Sequence, residues 1–186
     1  MKSMGIDPGV EGYLCLVDKT DQEAIRWWPI PVRDGDRAGE GDDQDDEALA
    51  SILRDIGPSL DVLVVEEQQG FPGSGPRCPN PRCRKPQNMQ GVASTFKTGR
   101  NYGVILGLAK AFKLPLKTVH PSEWKPVWGL TADKTMSVAK AQFLSPGTDF
   151  RDREHKPRAR VPNHNLAEAF ILAKHGFRFL KGATTQ

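Results

Sequence analysis

The sequence predicts an α/β domain built on a mixed five-stranded sheet flanked by helices. Three short apolar stretches near the N-terminus, separated by turn residues, suggest an antiparallel meander. A run of buried-type residues at 61–66 suggests a parallel strand covered on both faces. Helical periodicities then alternate with one more strand, which is the pattern of a sheet layered with helices.

Residues 2–7 (KSMGID) form the first predicted strand, closed by the turn pair Pro8-Gly9. Residues 11–18 (EGYLCLVD) and 23–32 (EAIRWWPIPV) are the second and third, the third held to an edge by its prolines. An acidic stretch (DGDRAGEGDDQDDE, 34–47) leads to a helix at about 45–56, where Leu49, Ile52, Leu53 and Ile56 recur at helical spacing. Residues 61–66 (DVLVVE) are the fourth strand. A Gly/Pro-rich segment, 68–91, precedes a helix at 92–112 and a fifth strand at 114–120. Helices at 132–144 and 164–181 complete the chain, with 1–182 as one domain, 68–91 as an inserted loop and 183–186 as a C-terminal tail.

A length of 186 residues suits one domain with a sizeable core. The 38% hydrophobic and 26% charged residues are ordinary for a globular chain, and no apolar run of about 18 residues suggests a membrane span. No secretory signal pattern opens the sequence. Three cysteines, Cys15, Cys78 and Cys83, are too few and too uneven for a disulfide framework, which fits a reducing intracellular setting. The net charge of +3 is mild, but its distribution is uneven: 77–85 (RCPNPRCRK) and 151–160 (RDREHKPRAR) are basic. Such loops suit phosphate binding, and equally a solvated surface.

Asp7 and Glu66 each close an apolar strand, at the rim where open α/β sheets bind ligands. Asp7 also fits a plain Asp-Pro-Gly turn. An acid directly after four apolar residues needs a partner, and the two-residue period leaves Glu66 and Glu67 as alternatives. Glu168 shares the apolar face of the last helix with Ile171 and Leu172, and His164 lies about 40° away around that helix. Asn165-x-x-Glu168 also reads as a capping box. Two strand-end acids and one helix-start acid in a single domain suit hard divalent cations, whose paired use hydrolyses phosphodiesters.

The series IDPGVEGYLCLVD, VVEEQQGFPGSG, QGVASTFKTGRNYGVILGLAKAF, LKTVHPSEWKPVWGL, DKTMSVAKAQF and HNLAEAFILAKHGF resembles the RuvC-like Holliday-junction resolvases. It is most similar to the branch found in phages, bacterial genomes and chloroplasts. The resemblance covers nearly the whole chain. It implies an RNase H-like fold, a homodimer, Mg2+ or Mn2+, and paired nicks in a four-way DNA junction. It also implies the cytoplasm of a bacterial host, with no small-molecule cofactor and no membrane partner. Asp7, Glu66 and Glu168 match three metal-binding acids of the family, and the position of Pro72 favours Glu66 over Glu67. Relatives carry an Asp, sometimes a His, three to five residues before the last acid. This chain has Asn163, His164 and Asn165 there, and His164 is the candidate fourth ligand. Lys134 matches a lysine that would stabilise charge on the cleaved phosphate. Trp124 is expected to pack, and Lys125 to contact phosphate.

The loop at 68–91 matches a shorter one that enters the junction centre in relatives. Phe71 would wedge between or stack on bases, with Arg77, Arg82, Arg84 and Lys85 as phosphate contacts. Lys97 and Arg100, on the next helix, join the expected DNA contacts. Cys78 and Cys83 are free thiols or half of a zinc site shared by two loops of a dimer. Gly99, Gly103 and Gly107 permit close helix approach, either within the monomer or across the dimer implied by the resemblance.

Two other readings compete with the enzyme. A junction-binding protein with weak or no cleavage follows if the missing acid near His164 disables the site. The actin/sugar-kinase ATPases also place Asp-x-Gly after a first strand, but they need two such domains and further Gly loops. The loops at 68–91 and 145–163 are expected to be partly disordered without DNA.

Overall fold

The computed structural model describes residues 1–9, 11–20, 24–33, 43–69, 91–131 and 133–181. Strand β1 (Lys2–Ile6) lies at the centre of a five-stranded sheet. It pairs antiparallel with β2 (Tyr13–Asp18), which pairs antiparallel with β3 (Ala24–Pro29). On its other side β1 pairs parallel with β6 (Val62–Glu66), and β6 with β7 (Leu116–Val119), giving the order β3-β2-β1-β6-β7. This is the expected meander joined to parallel strands. The helices are α1 (Asp46–Ile56), α2 (Val92–Ala111), α3 (Pro121–Val127), α4 (Lys134–Leu144) and α5 (His164–Lys181).

The third predicted strand, 23–32, is shorter than expected. It ends at Pro29, and Val32–Arg33 (β4) instead pairs with Asp43–Gln44 (β5) in a separate two-stranded ribbon. Pro29 and Pro31 cannot donate ladder hydrogen bonds, so the chain leaves the sheet there. The helix α3 was not expected from the sequence. It begins with Pro121 at its first position and contains Pro126, whose presence masks seven residues of helix.

Each face of the sheet has its own core. Met4, Ile6, Leu14, Leu16, Leu63 and Val65 pack with Leu49 and Leu53 of α1 and Ile105 and Ala109 of α2. Tyr13, Cys15, Val17, Val62 and Val64 pack with Trp124 of α3, Ala141 of α4 and the apolar face of α5. Successive strand residues point to opposite faces, so this division also assigns the strand-end acids. Ser3, Gly5 and Asp7 share the α5 side of β1, and Glu66 shares that side with Val62 and Val64. Burial drives the Cys15 thiol far above its usual range, so it is an inert core residue.

Helix α5 lies hard against β1. A methyl group on Gly5 would overlap the backbone of Ala169 and Ala173, and one on Gly176 would overlap the Ser3 hydroxyl. The backbone atoms at Gly5 cannot move aside as a flexible side chain would. Gly5→Ala is therefore expected to lower stability by about 3 kcal/mol or more, read as a drop in urea midpoint with an unchanged slope.

Gly99, Gly103 and Gly107 of α2 face open space, so the described residues do not bury this row within the monomer. Lys97 and Arg100 on the same helix are engaged by acids: Lys97 with Asp43 at 3.1 Å, Arg100 with Asp46 at 3.5 Å and Asp43 at 4.0 Å. To contact DNA, each would exchange a carboxylate for a phosphate. Among the described residues, no helix is long and apolar enough to cross a membrane.

The segment 145–163 was expected to be partly disordered without DNA, but a buried carboxylate anchors it. Asp152 is fully buried and accepts hydrogen bonds from Tyr13 Oη (2.6 Å), Trp27 Nε1 (2.9 Å) and His155 Nδ1 (2.8 Å).

Candidate metal centre

The parallel pairing of β1 with β6 aligns Ile6 with Val65 and so brings their successors, Asp7 and Glu66, side by side at the carboxyl edge. Both acids project toward α5 by the alternation described above. Helix α5 brings Glu168 to the same place, where its carboxylate is almost buried. Period two alone left Glu66 and Glu67 open. The structure buries Glu66, while Glu67 continues the ladder by donating its amide to the Val119 carbonyl.

Helix α3 supplies the groups that hold the acids. Trp124 Nε1 donates to Glu66 Oε2 at 2.9 Å, so this fully buried side chain orients an acid as well as packing. Lys125 Nζ sits 2.9 Å from Glu168 Oε2 and 4.0 Å from Glu66 Oε2, bridging the two carboxylates. In this state it serves as their counter-ion, where a phosphate contact was expected. Ser137 of α4, missed in the sequence, donates to Glu168 Oε1 at 2.8 Å. A buried serine on a helix face is too common a pattern to have marked it.

Glu168 does not form the capping box that its spacing allows. The helix cap is Asn163, whose Oδ1 accepts from the amides of Asn165 and Leu166. Asn163 also donates to Tyr13 Oη at 3.0 Å, and the Asn165 side chain donates to the Glu11 carbonyl. Two of the three candidates for the fourth position are thus occupied in holding the helix start. His164 differs, since its Nε2 is buried with no hydrogen-bond partner. Burial and the charge of Lys134 lower the pKa of the imidazole, so its neutral, ligating form prevails at neutral pH. Lys134 is exposed at the first position of α4, and its charge is felt at His164.

The electrostatics are those of a cluster with too much negative charge. Burial, reinforced by Glu66 and Glu168, pushes the Asp7 carboxyl up to about 7, against a weak bond from the Gly9 amide at 3.4 Å. Burial also raises Glu66 above its usual range, opposed by Lys125 and Trp124. Burial disfavours the Lys125 ammonium, but Glu66, Glu168 and Asp7 outweigh it and hold its pKa above normal. Among the described residues, three acids therefore share one lysine.

The donors fit a hard divalent cation in kind: carboxylate oxygens from three elements and a neutral, unpartnered imidazole nitrogen. The surplus negative charge around Asp7 is what such an ion would relieve. As arranged, no three or more His, Cys, Asp or Glu side chains among the described residues form a ready-made cage. Lys125 bridges two of the acids, and an ion would take over its charge. Phe71, Arg77, Arg82, Arg84 and Lys85, together with Cys78 and Cys83, lie outside the described residues.

A mixed sheet in this order, flanked by helices and carrying acids at the ends of β1 and β6 and on the last helix, has the RNase H-like fold. Two solved structures of one protein are similar to it. Thermus thermophilus RuvC matches with a TM-score of 0.53 at 18% identity, covering 98% of this chain and 97% of that one. The same RuvC in complex with a Holliday junction substrate matches with a TM-score of 0.55 at 18% identity, covering 98% and 96%. At that identity the likeness is one of fold. No protein-family model and no curated protein sequence matches the chain.

Proposed function

We propose that this chain is a metal-dependent DNA endonuclease that resolves four-way or related branched DNA junctions by paired nicks, acting as a homodimer. The observation that carries the reading is the convergence of Asp7, Glu66 and Glu168 from three separate elements, with Asp7 raised to about 7 by burial and, after it, by the charges of the other two acids. The fold shared with RuvC, which has been seen with a Holliday junction, supports the choice of substrate.

In this proposal Asp7, Glu66, Glu168 and His164 hold Mg2+ or Mn2+. Bound there, a pair of such ions would supply an activated water and charge stabilisation for the leaving oxygen. Trp124 and Ser137 fix the carboxylate orientations, and Lys125 neutralises the acids until DNA and metal arrive. Lys134, whose charge reaches His164, would offset charge on the cleaved phosphate. A second reading, a junction binder that cuts weakly or not at all, is favoured by the Lys125 bridge and by a His in place of an acid.

The test is cleavage of a labelled mobile four-way junction in Mg2+ or Mn2+ by wild type and Glu168→Gln. Symmetric nicks by the wild type, lost at least a hundredfold in the variant with its melting temperature within a few degrees, are expected. Junction binding without nicks in either metal would establish the binder instead.

A further inference from the structure

The basic segment 151–160 has no place in the metal centre, yet its side chains border it. Arg151, Lys156 and Arg160 line one groove of about 260 Å³ with Glu11, Asn163 and His164, so the cations and the residue that carries the buried, unpartnered imidazole nitrogen border the same space. Arg151 is held by Asp149, its Nε 2.7 Å from Oδ1. Lys156 and Arg160 are exposed and make no ion pair among the described residues. Among the described residues, Glu11 is the one acid on the groove wall.

The groove wall is tied to the protein body. Asp152, next to Arg151, lies in the left-handed backbone region (φ 49°), which a non-glycine residue adopts only when its surroundings hold it. Those surroundings are the Tyr13, Trp27 and His155 donors. Burial opposes the charge of Asp152, but these hydrogen bonds outweigh it and keep the carboxylate below its usual range. Tyr13 Oη in turn accepts from Asn163, the cap of α5. One buried network therefore fixes both the basic segment and the start of the helix that carries His164 and Glu168. Free cations on an ordinary solvated loop would not need such anchoring.

We propose that Lys156 and Arg160, with Arg151, form a phosphate subsite that takes a backbone phosphodiester of the DNA strand lying across the metal centre. The proposal rests on the nuclease reading and adds the place where the strand is gripped beside His164. The ligand class is a phosphodiester, since the groove offers cations on an open wall and little to recognise a base.

The test is binding of a fluorescent four-way DNA junction in EDTA over a series of KCl concentrations. Wild type, K156Q/R160Q and the control K110Q/K113Q are compared. The control removes two exposed charges near the amino-terminal end of β7, the opposite end of the parallel strands from Glu66. Losing one phosphate contact in each protomer of the proposed dimer should reduce the slope of log K against log[salt] by roughly 1.8 and weaken binding at least tenfold near 150 mM salt, with the melting temperature unchanged. The control should keep the wild-type slope. A K156Q/R160Q slope equal to that of wild type, or a control that loses as much, would overturn the subsite and leave the nuclease reading standing. A wild type that binds no junction at all would overturn both.

Discussion

Asp7→Asn is expected to abolish nicking while making the metal-free protein more stable. Burial first, and then the charges of Glu66 and Glu168, raise Asp7 to about 7 from an ordinary 3.8. Because the folded-state pKa is the higher one, the native protein binds a proton that the unfolded chain has already released between those values. Stability from this group is thus greatest in acid and falls as pH rises from about 4 to 7. Asparagine cannot ionise, so the variant's advantage should be near zero at pH 4, grow through that window and level off above it. At pH 8 we expect about 1–2 kcal/mol, or a rise of roughly 2–8 °C in melting temperature. Millimolar Mn2+ should stabilise the wild type and leave the variant nearly unmoved. The same linkage makes metal affinity rise with pH up to about 7. Calorimetric scans at pH 4, 6 and 8, with and without Mn2+, measure all of this. A variant less stable than wild type at pH 8 would show that Asp7 is mainly a turn residue.

Lys125→Met is expected to act in the opposite direction. It removes the cation that bridges Glu66 and Glu168, leaving nearly buried carboxylates to repel each other. Breaking a fully buried pair costs about 3–5 kcal/mol. The Lys125 side chain retains 23% of its exposure, so solvent shields part of the loss and about 2 kcal/mol is expected. In EDTA this appears as a melting temperature lower by roughly 4–8 °C. Mn2+ should restore most of it, and titration calorimetry should show Mn2+ bound at least tenfold more tightly than by wild type. Equal Mn2+ affinity in the two proteins would mean that Lys125 and the ion do not compete.

The two predictions differ in sign because they treat the two sides of one charge balance. A functional site often retains such unfavourable charge because ligand binding repays it, at the expense of the empty protein's stability. Here the anchoring of Glu66 by Trp124 and of Glu168 by Ser137 keeps the acids from relaxing into solvent.

Much of this arrangement was legible in the sequence. The meander, the buried strand ending in Glu66 and the amphipathic last helix follow from apolar periodicity and turn residues, which are local properties. Asp7 and Glu168 were visible as acids where strands and helix faces end. Local patterns could not separate Glu66 from Glu67, or metal binding from capping at Glu168, because each alternative satisfies the same spacing. Tertiary structure separated them through the register of β1 on β6, which turns Glu66 toward α5, and through Asn163, which caps the helix and frees Glu168. The roles of Lys125, Ser137 and Asp152 were likewise beyond the sequence. Apart from His155 beside Asp152, their partners lie 31 to 139 residues away along the chain, and only folding brings such groups within reach of one another.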